Sequence, residues 1–198
     1  MAQKEKNESN NGIYTLIFLV LLLLGFWLFT PLKTMESTWH SELTQIINDG
    51  GTQTNEWILS QSMLLVRGLS INIIESADIS SSSSLDSWLM ERMYVTVIWL
   101  NLFGYRLFIA VMWALLCMPL VFASIIDGFY TREIYKETFI SQSPVRHKMG
   151  VKTFNLLLVV VLIWLIIPIP IPVYVIPIIF IVKAISSWFW VSNLQKRL

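Results

Sequence analysis

The chain has 198 residues, of which 55% are hydrophobic and 14% charged, with a net charge of +1 and a mean hydropathy of +0.63. About a quarter of the residues of a typical soluble domain are charged, so this composition excludes an ordinary soluble protein and predicts one embedded in a bilayer. The near-neutral charge argues against direct nucleic-acid binding, which needs a basic surface. A single cysteine, Cys117, excludes an internal disulfide.

Two uncharged runs of twenty residues, 13–32 and 107–126, are each long enough to cross a bilayer. The first is interpreted as a retained signal anchor, because no small-x-small cleavage site follows it. The second is preceded by a further apolar stretch. A helix from residue 85 to residue 126 would be about twice the membrane thickness, so it is expected either to protrude or to bend near Gly104.

A third apolar run, Phe154 to Ile167, ends at the alternating sequence Ile-Pro-Ile-Pro-Ile-Pro, and a fourth follows from Val173 to Val191. Prolines cannot continue a helix, so this segment predicts a tight hairpin turn. Two full crossings are the favoured interpretation. A re-entrant hairpin is the alternative, because the third run is short.

The distribution of basic residues predicts the orientation. Four crossings place nine of the fourteen Lys and Arg residues on the side of both termini. Those nine are Lys4, Lys6, Arg132, Lys136, Arg146, Lys148, Lys152, Lys196 and Arg197. The longer opposite side carries four basic residues and eight acids. Both termini are therefore expected in the cytosol.

The external segment is predicted to be helical. One helix is expected over Glu36 to Asn48, ending at Asp49-Gly50-Gly51, and a second from about Thr54 to Glu75. Apolar residues recur along the second helix at helical spacing and predict a stripe that packs on the long helix or, alternatively, docks a partner. The stripe comprises Trp57, Leu64, Leu65, Leu69 and Ile73.

The sequence contains no phosphate-binding glycine loop, nucleophile elbow or paired-cysteine metal site. We therefore expect no enzymatic activity, cofactor, metal or small-molecule substrate. Lys183 is an intramembrane polar residue and costs about 2.5–3.5 kcal/mol at the bilayer centre. A shallow hairpin that lets it reach the interface is the favoured explanation. A contact in a helix bundle or with a partner's acid, and an ion or proton relay, are the alternatives.

The segment 127–152 is the most individual stretch, and on physical grounds it is a basic juxtamembrane loop that meets anionic lipid. Asp127-Gly128, Arg132-Glu133, a serine segment, and His147 followed by Lys148 resemble the loop of the uncharacterised integrating conjugative element membrane proteins. The resemblance covers mainly 107–198. The chain departs from that family where members have Gly-Arg-Glu-Ser and a tyrosine before the histidine: here Ile140-Ser141-Gln142-Ser143 and Arg146 occupy those places.

The resemblance implies an inner-membrane subunit or adaptor of a bacterial conjugative (type IV secretion) apparatus, beside its coupling ATPase and other membrane subunits. The alternative function is a small transporter or channel subunit, with Lys183 and Arg106 near a pore. Partner or lipid contacts of the cytoplasmic segment are expected at Asp127, Gly128, Arg132, Glu133, His147, Lys148 and Lys152.

The predicted fold is all-α: a polytopic inner-membrane protein with four transmembrane helices and a helical periplasmic segment. In chain order the segments are 1–12 (cytoplasmic), 13–32 (first span), 33–93 (periplasmic), 94–126 (long helix with the second span), 127–152 (cytoplasmic basic loop), 153–193 (third and fourth spans, joined by the proline turn) and 194–198 (cytoplasmic tail).

Overall fold

A computed structural model describes residues 17, 20, 21, 24–78, 84–138 and 143–194, with side chains described in these ranges except at 65, 72–78 and 84–86. Residues 17, 20, 21 and 24–29 are helical, and eight residues of the predicted first span 13–32 lie outside the described residues, namely 13–16, 18, 19, 22 and 23. Five further helices follow in the described part. They are α1 (Leu32–Gly50), α2 (Thr52–Asp78), α3 (Ser84–Glu137), α4 (Pro144–Ile166) and α5 (Val175–Ser192). The all-helical prediction is confirmed for these residues.

Three of these helices are long and apolar enough to cross a membrane, namely α3 over Ser87–Glu137, α4 and α5. At 1.5 Å per residue, the 54 residues of α3 reach about 80 Å, so this helix extends far beyond a hydrocarbon layer of about 30 Å. The helix is continuous through Gly104 and Pro119.

The helix that contains the predicted third apolar run begins ten residues before that run. Pro144 occupies the first turn of α4, where its missing N–H costs nothing. Likewise, α3 continues to Glu137, so the described part of the predicted 127–152 loop is almost entirely helical. The resulting 23-residue α4 is about 34 Å long, of which the uncharged part after Lys152, residues 153–166, accounts for about 21 Å.

The two helices of the 33–93 segment are present but longer than predicted. They meet at Gly51, whose φ of 82° requires glycine. Its ψ of 165° is extended, so this cap differs from the left-handed glycine cap that is common at helix ends. Fraying and end effects make such limits hard to predict from sequence.

Of the predicted apolar stripe of α2, Leu64 and Leu69 do not form a packing face, and the side chains of Leu65 and Ile73 lie outside the described ones. Leu64 is 70% exposed and Leu69 57% exposed, whereas the buried side chains of α2 include Asn55, Ser62 and Val66. Val66 packs where α3 has Gly104: a Cβ there would lie 2.5 Å from Val66 Cγ2. The sequence pattern failed because the helix buries two polar side chains and a valine, while larger apolar residues face outward. Of the stripe, half-exposed Trp57 touches α3 through the ring of Phe108.

The core lies where α1, α3 and the α4–α5 hairpin meet. Its buried members include Ile46 of α1, Tyr105 and Ile109 of α3, Trp164 of α4 and Ile176 of α5. The proline segment 167–174 turns the chain between α4 and α5 beside this core. The fold therefore brings the hairpin turn against the buried middle of α3.

Candidate functional site

The proline segment creates a specific hydrogen-bonding problem at the end of α4. Pro168, Pro170 and Pro172 have no N–H, so the carbonyls four residues earlier, at Trp164, Ile166 and Pro168, lose their helical donors. Each of these carbonyls instead accepts a hydrogen bond from a side chain on another helix. Leaving a buried carbonyl without a partner would cost about 1–3 kcal/mol, so these donors are essential to the turn.

Two of the donors are side chains of α3 and α1, the helices against which the hairpin turn packs. Trp99 Nε1 on α3 donates to the Ile166 carbonyl at 2.8 Å. The Thr38 hydroxyl on α1 lies 3.2 Å from the Pro168 carbonyl and also bonds its own helix at the Thr34 carbonyl. The turn is thus attached to both α1 and α3.

Arg106 is the third donor, and its side chain is 0% exposed. One terminal nitrogen donates to the carbonyls of Trp164 and Ile167 at 2.6 Å each, and the other donates to the Ile169 carbonyl at 2.7 Å. Its Nε lies 3.1 Å from both carboxylate oxygens of Glu42, which also accepts from the second terminal nitrogen. The partners account for all five N–H groups of the guanidinium.

The Arg106–Glu42 pair is buried on both sides, since Glu42 is 2% exposed. Nearby, Tyr105 donates its hydroxyl to Asn55 Oδ1 at 2.8 Å, and its ring packs edge-on against Trp39. These contacts join α1, α2, α3 and the hairpin turn. Because its donors are engaged and shielded, the Arg106 centre is a structural clamp and offers no open position to a ligand.

A second polar arrangement holds the N-terminal helical segment. Arg92 of α3 donates to the carbonyls of Trp27, Leu28 and Thr30 at 2.8–3.2 Å, which satisfies the C-terminal end of helix 24–29. Trp27 Nε1 in turn donates to the Thr96 hydroxyl at 2.8 Å. The apolar run that begins at residue 13 is thereby anchored at its end to the first turns of α3.

At the opposite end of α3, the residues predicted to contact partners divide into two groups. In the first group, Asp127 accepts a hydrogen bond from Trp188 Nε1 at 2.7 Å, and Gly128 lets α5 approach, since a Cβ there would lie 3.2 Å from the Trp188 carbonyl. His147 Nδ1 lies 3.1 Å from the Trp190 carbonyl. Asp127 and Gly128 therefore help to hold α5 to α3, and His147 helps to hold α4 to α5.

Gly150 completes this group, although sequence reasoning did not select it. A Cβ at Gly150 would lie 2.6 Å from Trp190 N and 2.9 Å from the Ser186 carbonyl, so α4 and α5 pack backbone to backbone. Close approach at small residues is the usual way in which membrane helices associate. The sequence offered only one signal for this contact, a glycine followed by a long apolar run.

The second group is the charged surface. Lys148 and Lys152 are exposed and lie four residues apart on one face of α4, and Arg146 and Met149, which are also exposed, extend this surface around the first turns of the helix. Glu133 forms an ion pair with Lys136, and Arg132 is half-buried with its Nε unpartnered. We call the exposed surface at the start of α4 that Arg146, Lys148, Met149 and Lys152 form the basic face.

Lys183 lies on α5 with its ammonium 4.6 Å from the ring centroid of Phe154 and 6.0 Å from that of Phe180. Cation–π contacts contribute about 0.5–2 kcal/mol and lower the cost of a charge inside an apolar helix pair. A contact within the helix bundle, one of the alternatives raised from sequence, is the arrangement found. Val173, whose carbonyl loses a donor to Pro177, accepts instead from Ile176 N at 3.1 Å.

Within the described ranges, His, Cys, Asp and Glu residues form no group of three or more that could hold a metal ion. Sequence reasoning missed Glu42 and treated Arg106 as an external basic residue or as a pore residue. Three alternating prolines beside a lone arginine were the available signal. A single sequence does not show that Glu42 and Arg106, 64 positions apart, would meet.

Comparison with known proteins gives one family. The model of the DtrJ-like family, described as IncC plasmid conjugative DNA transfer protein DtrJ-like, matches residues 34–195. No curated protein and no solved structure matches significantly. The match covers all five helices α1 to α5, including the clamp and the basic face. The chain therefore belongs to the DtrJ-like family of conjugative DNA transfer proteins.

Proposed function

We propose that this protein is a non-catalytic integral inner-membrane subunit of a bacterial type IV secretion apparatus for conjugative DNA transfer, and that it acts as an adaptor for the coupling ATPase. Membership of a conjugative DNA transfer family supports the process. Three helices of membrane-crossing length support the location. The finer roles, adaptor and ATPase partner, are inferred from the surfaces that follow.

The apolar surfaces of α3, α4 and α5 support residence in a bilayer. Leu115 of α3, Leu156 of α4 and Ile185 of α5 are all more than half exposed. Exposed apolar side chains on this scale are unfavourable in water and favourable against lipid chains. With the first span included, both termini and the α3–α4 connection belong to the cytosolic side in this proposal, and the excess of Lys and Arg in these segments supports it.

The basic face is the observation that carries the adaptor role. Arg146, Lys148 and Lys152 are exposed at the start of α4, which contacts α5 through Gly150 and His147. A rigid, positively charged helix end beside the bilayer suits a partner that presents acidic side chains. The external helices α1 and α2 would contact other subunits on the opposite side.

The test is a mating assay with the double variant Lys148→Glu/Lys152→Glu replacing the native protein in the donor. We expect transfer to fall about tenfold or more, the effect of losing ~1.4 kcal/mol of binding, with unchanged membrane levels. Recovery of the coupling ATPase with the tagged protein should fall in parallel. Neither side chain makes a described hydrogen bond or ion pair, so the fold should persist.

Arg67→Glu is the matched control, because it reverses an exposed charge on α2, at the other end of the fold. Normal transfer in the double variant would refute the basic face as the adaptor surface. Loss of transfer with full ATPase recovery would refute the ATPase as its partner. Alanine at Asp127 is a poorer test, because it also removes the hydrogen bond to Trp188.

The transporter alternative gains no support from the two cations on which it rested. Arg106 is engaged by Glu42 and three carbonyls, and Lys183 lies against Phe154. Neither side chain is positioned to line a water-filled path. Ion flux through liposomes containing the purified protein would contradict the adaptor proposal.

A further inference from the structure

A cavity of 590 Å³ lies where the α1–α2 turn, the start of the apolar run of α3 and the start of α5 meet. Its floor includes Ile109, Met112 and Trp113 of α3, and its far wall includes Val173 and Pro177 of the hairpin. The volume falls within the range of small-molecule sites, about 300–1,000 Å³. Leu116, 65% exposed, and Tyr174, 60% exposed, lie on its lining, so the cavity opens to the surroundings of α3.

The cavity lining is mainly apolar, and its polar part comes from one element of the fold. Most of it is apolar or aromatic, and the polar part is the α1–α2 turn, which contributes Asp49 and Thr54. Among the described lining residues, Asp49 alone carries a charge. Trp57, Trp113 and Tyr174 are the aromatic types enriched at the membrane–water interface. An apolar cavity with aromatic side chains at its border and one carboxylate in its polar part fits an amphiphile that carries a positive group.

We propose that this cavity is a binding site for one phospholipid with a primary-ammonium headgroup, namely an ethanolamine phospholipid. An acyl chain occupies the space between α3 and the hairpin, and the ammonium lies at Asp49. The α3 residues that line the cavity, from Ile109 to Leu116, lie three to ten residues after Arg106, so they belong to the outer half of the uncharged run 107–126, beside which an acyl chain would lie.

Charge complementarity favours this occupant over an anionic lipid. Asp49 and the nearby exposed Glu56 are both acidic, and no Lys or Arg lines the cavity among the described residues. A phosphatidylglycerol headgroup would bring a negative charge to this carboxylate without a compensating cation. An ammonium supplies three donors for charge-assisted hydrogen bonds to Asp49.

The inference rests on the membrane placement of α3, which is part of the proposed function, but not on the role in conjugation. The test is native mass spectrometry of the protein exchanged into equimolar phosphatidylethanolamine, phosphatidylglycerol and phosphatidylcholine. Asp49→Asn removes the carboxylate charge, and Met112→Trp fills the floor. Glu56→Gln and Leu115→Trp are matched controls, because neither residue lines the cavity although both lie beside it.

We expect the native protein to retain one phosphatidylethanolamine in preference to the other two lipids. Asp49→Asn should reduce that preference about fivefold, the size of one net hydrogen bond, and Met112→Trp should abolish retention. Both controls should behave as the native protein does. Thermal unfolding of each variant in the same detergent verifies that the fold persists.

Equal retention of phosphatidylglycerol would overturn the headgroup assignment, and retention unaffected by Met112→Trp would overturn the cavity as the site. A dimer mass in place of a lipid adduct would show that a second copy fills it. Membrane fractionation of the same cells separates these results from failure of the membrane placement, and the mating assay separates them from failure of the conjugation role.

Discussion

Replacement of Arg106 by alanine should be among the most destabilising single changes in this protein. The substitution leaves the buried Glu42 carboxylate without its cation and removes the donors of three carbonyls, at Trp164, Ile167 and Ile169. Breaking a buried ion pair from one side costs about 3–5 kcal/mol. Each buried carbonyl left without a hydrogen-bond donor would add about 1–3 kcal/mol to the loss of stability. The added cost is smaller wherever water enters the space that the guanidinium vacates.

A double variant separates the two contributions. Arg106→Met/Glu42→Leu removes both charges, and such exchanges in well-packed interiors are often neutral. Here the carbonyls of the proline segment stay without donors, so the double variant should recover only part of the loss caused by Arg106→Ala. Full recovery would show that the ion pair matters by itself and that the turn does not depend on Arg106.

Unfolding of the purified protein in detergent, followed by the fluorescence of its tryptophans against added SDS, would measure these differences. Lys136→Ala is the control, because the Glu133–Lys136 pair is solvent-accessible and should contribute less than about 1 kcal/mol. If Arg106→Ala unfolds at the same SDS fraction as Lys136→Ala, the clamp is not a major source of stability.

Two further predictions concern the hairpin. Gly150→Ala should destabilise the protein by about 1–3 kcal/mol in the same assay, because the added Cβ would meet the Trp190 backbone. The control is Gly68→Ala on α2, whose Cβ meets open space, so this change should be neutral or stabilising by up to ~1 kcal/mol. Equal effects of the two substitutions would contradict the close packing of α4 and α5. Lys183→Met should leave unfolding and transfer unchanged or improved, because the contacts of the ammonium among the described residues are the rings of Phe154 and Phe180. Loss of transfer with an intact fold would instead show an essential partner or relay.

The membrane character of this chain could be predicted because it depends on local composition. The apolar runs at 107–126, 154–167 and 173–191 each coincide, to within two residues at their ends, with part of a helix long enough to cross a membrane, and Lys183 is the one charge within them. Helix limits were less accurate. Pro144 reads as a breaker in isolation, yet it begins α4 because the first helical turn needs no N–H from it.

The sites were harder to predict because they depend on contacts between distant residues. Glu42 and Arg106 look like ordinary polar positions of external helices, and their burial follows from the orphaned carbonyls of the proline segment. The prediction of an apolar packing face on α2 failed for a related reason. Its buried positions, Asn55 and Ser62, are polar, so hydrophobic periodicity selected outward-facing Leu64 and Leu69 instead. Asp127 and His147 were selected as contact residues and prove to hold the hairpin.

The central claim is that α3 crosses the membrane with the basic face in the cytosol and α1 outside. Cysteine accessibility tests it directly, starting from Cys117→Ser and adding either Lys148→Cys on α4 or Ser41→Cys on α1, both at exposed positions. In intact spheroplasts, an impermeant maleimide should label the α1 position at once and the α4 position only after the membrane is opened. Labelling of the α4 position in intact spheroplasts would contradict the account.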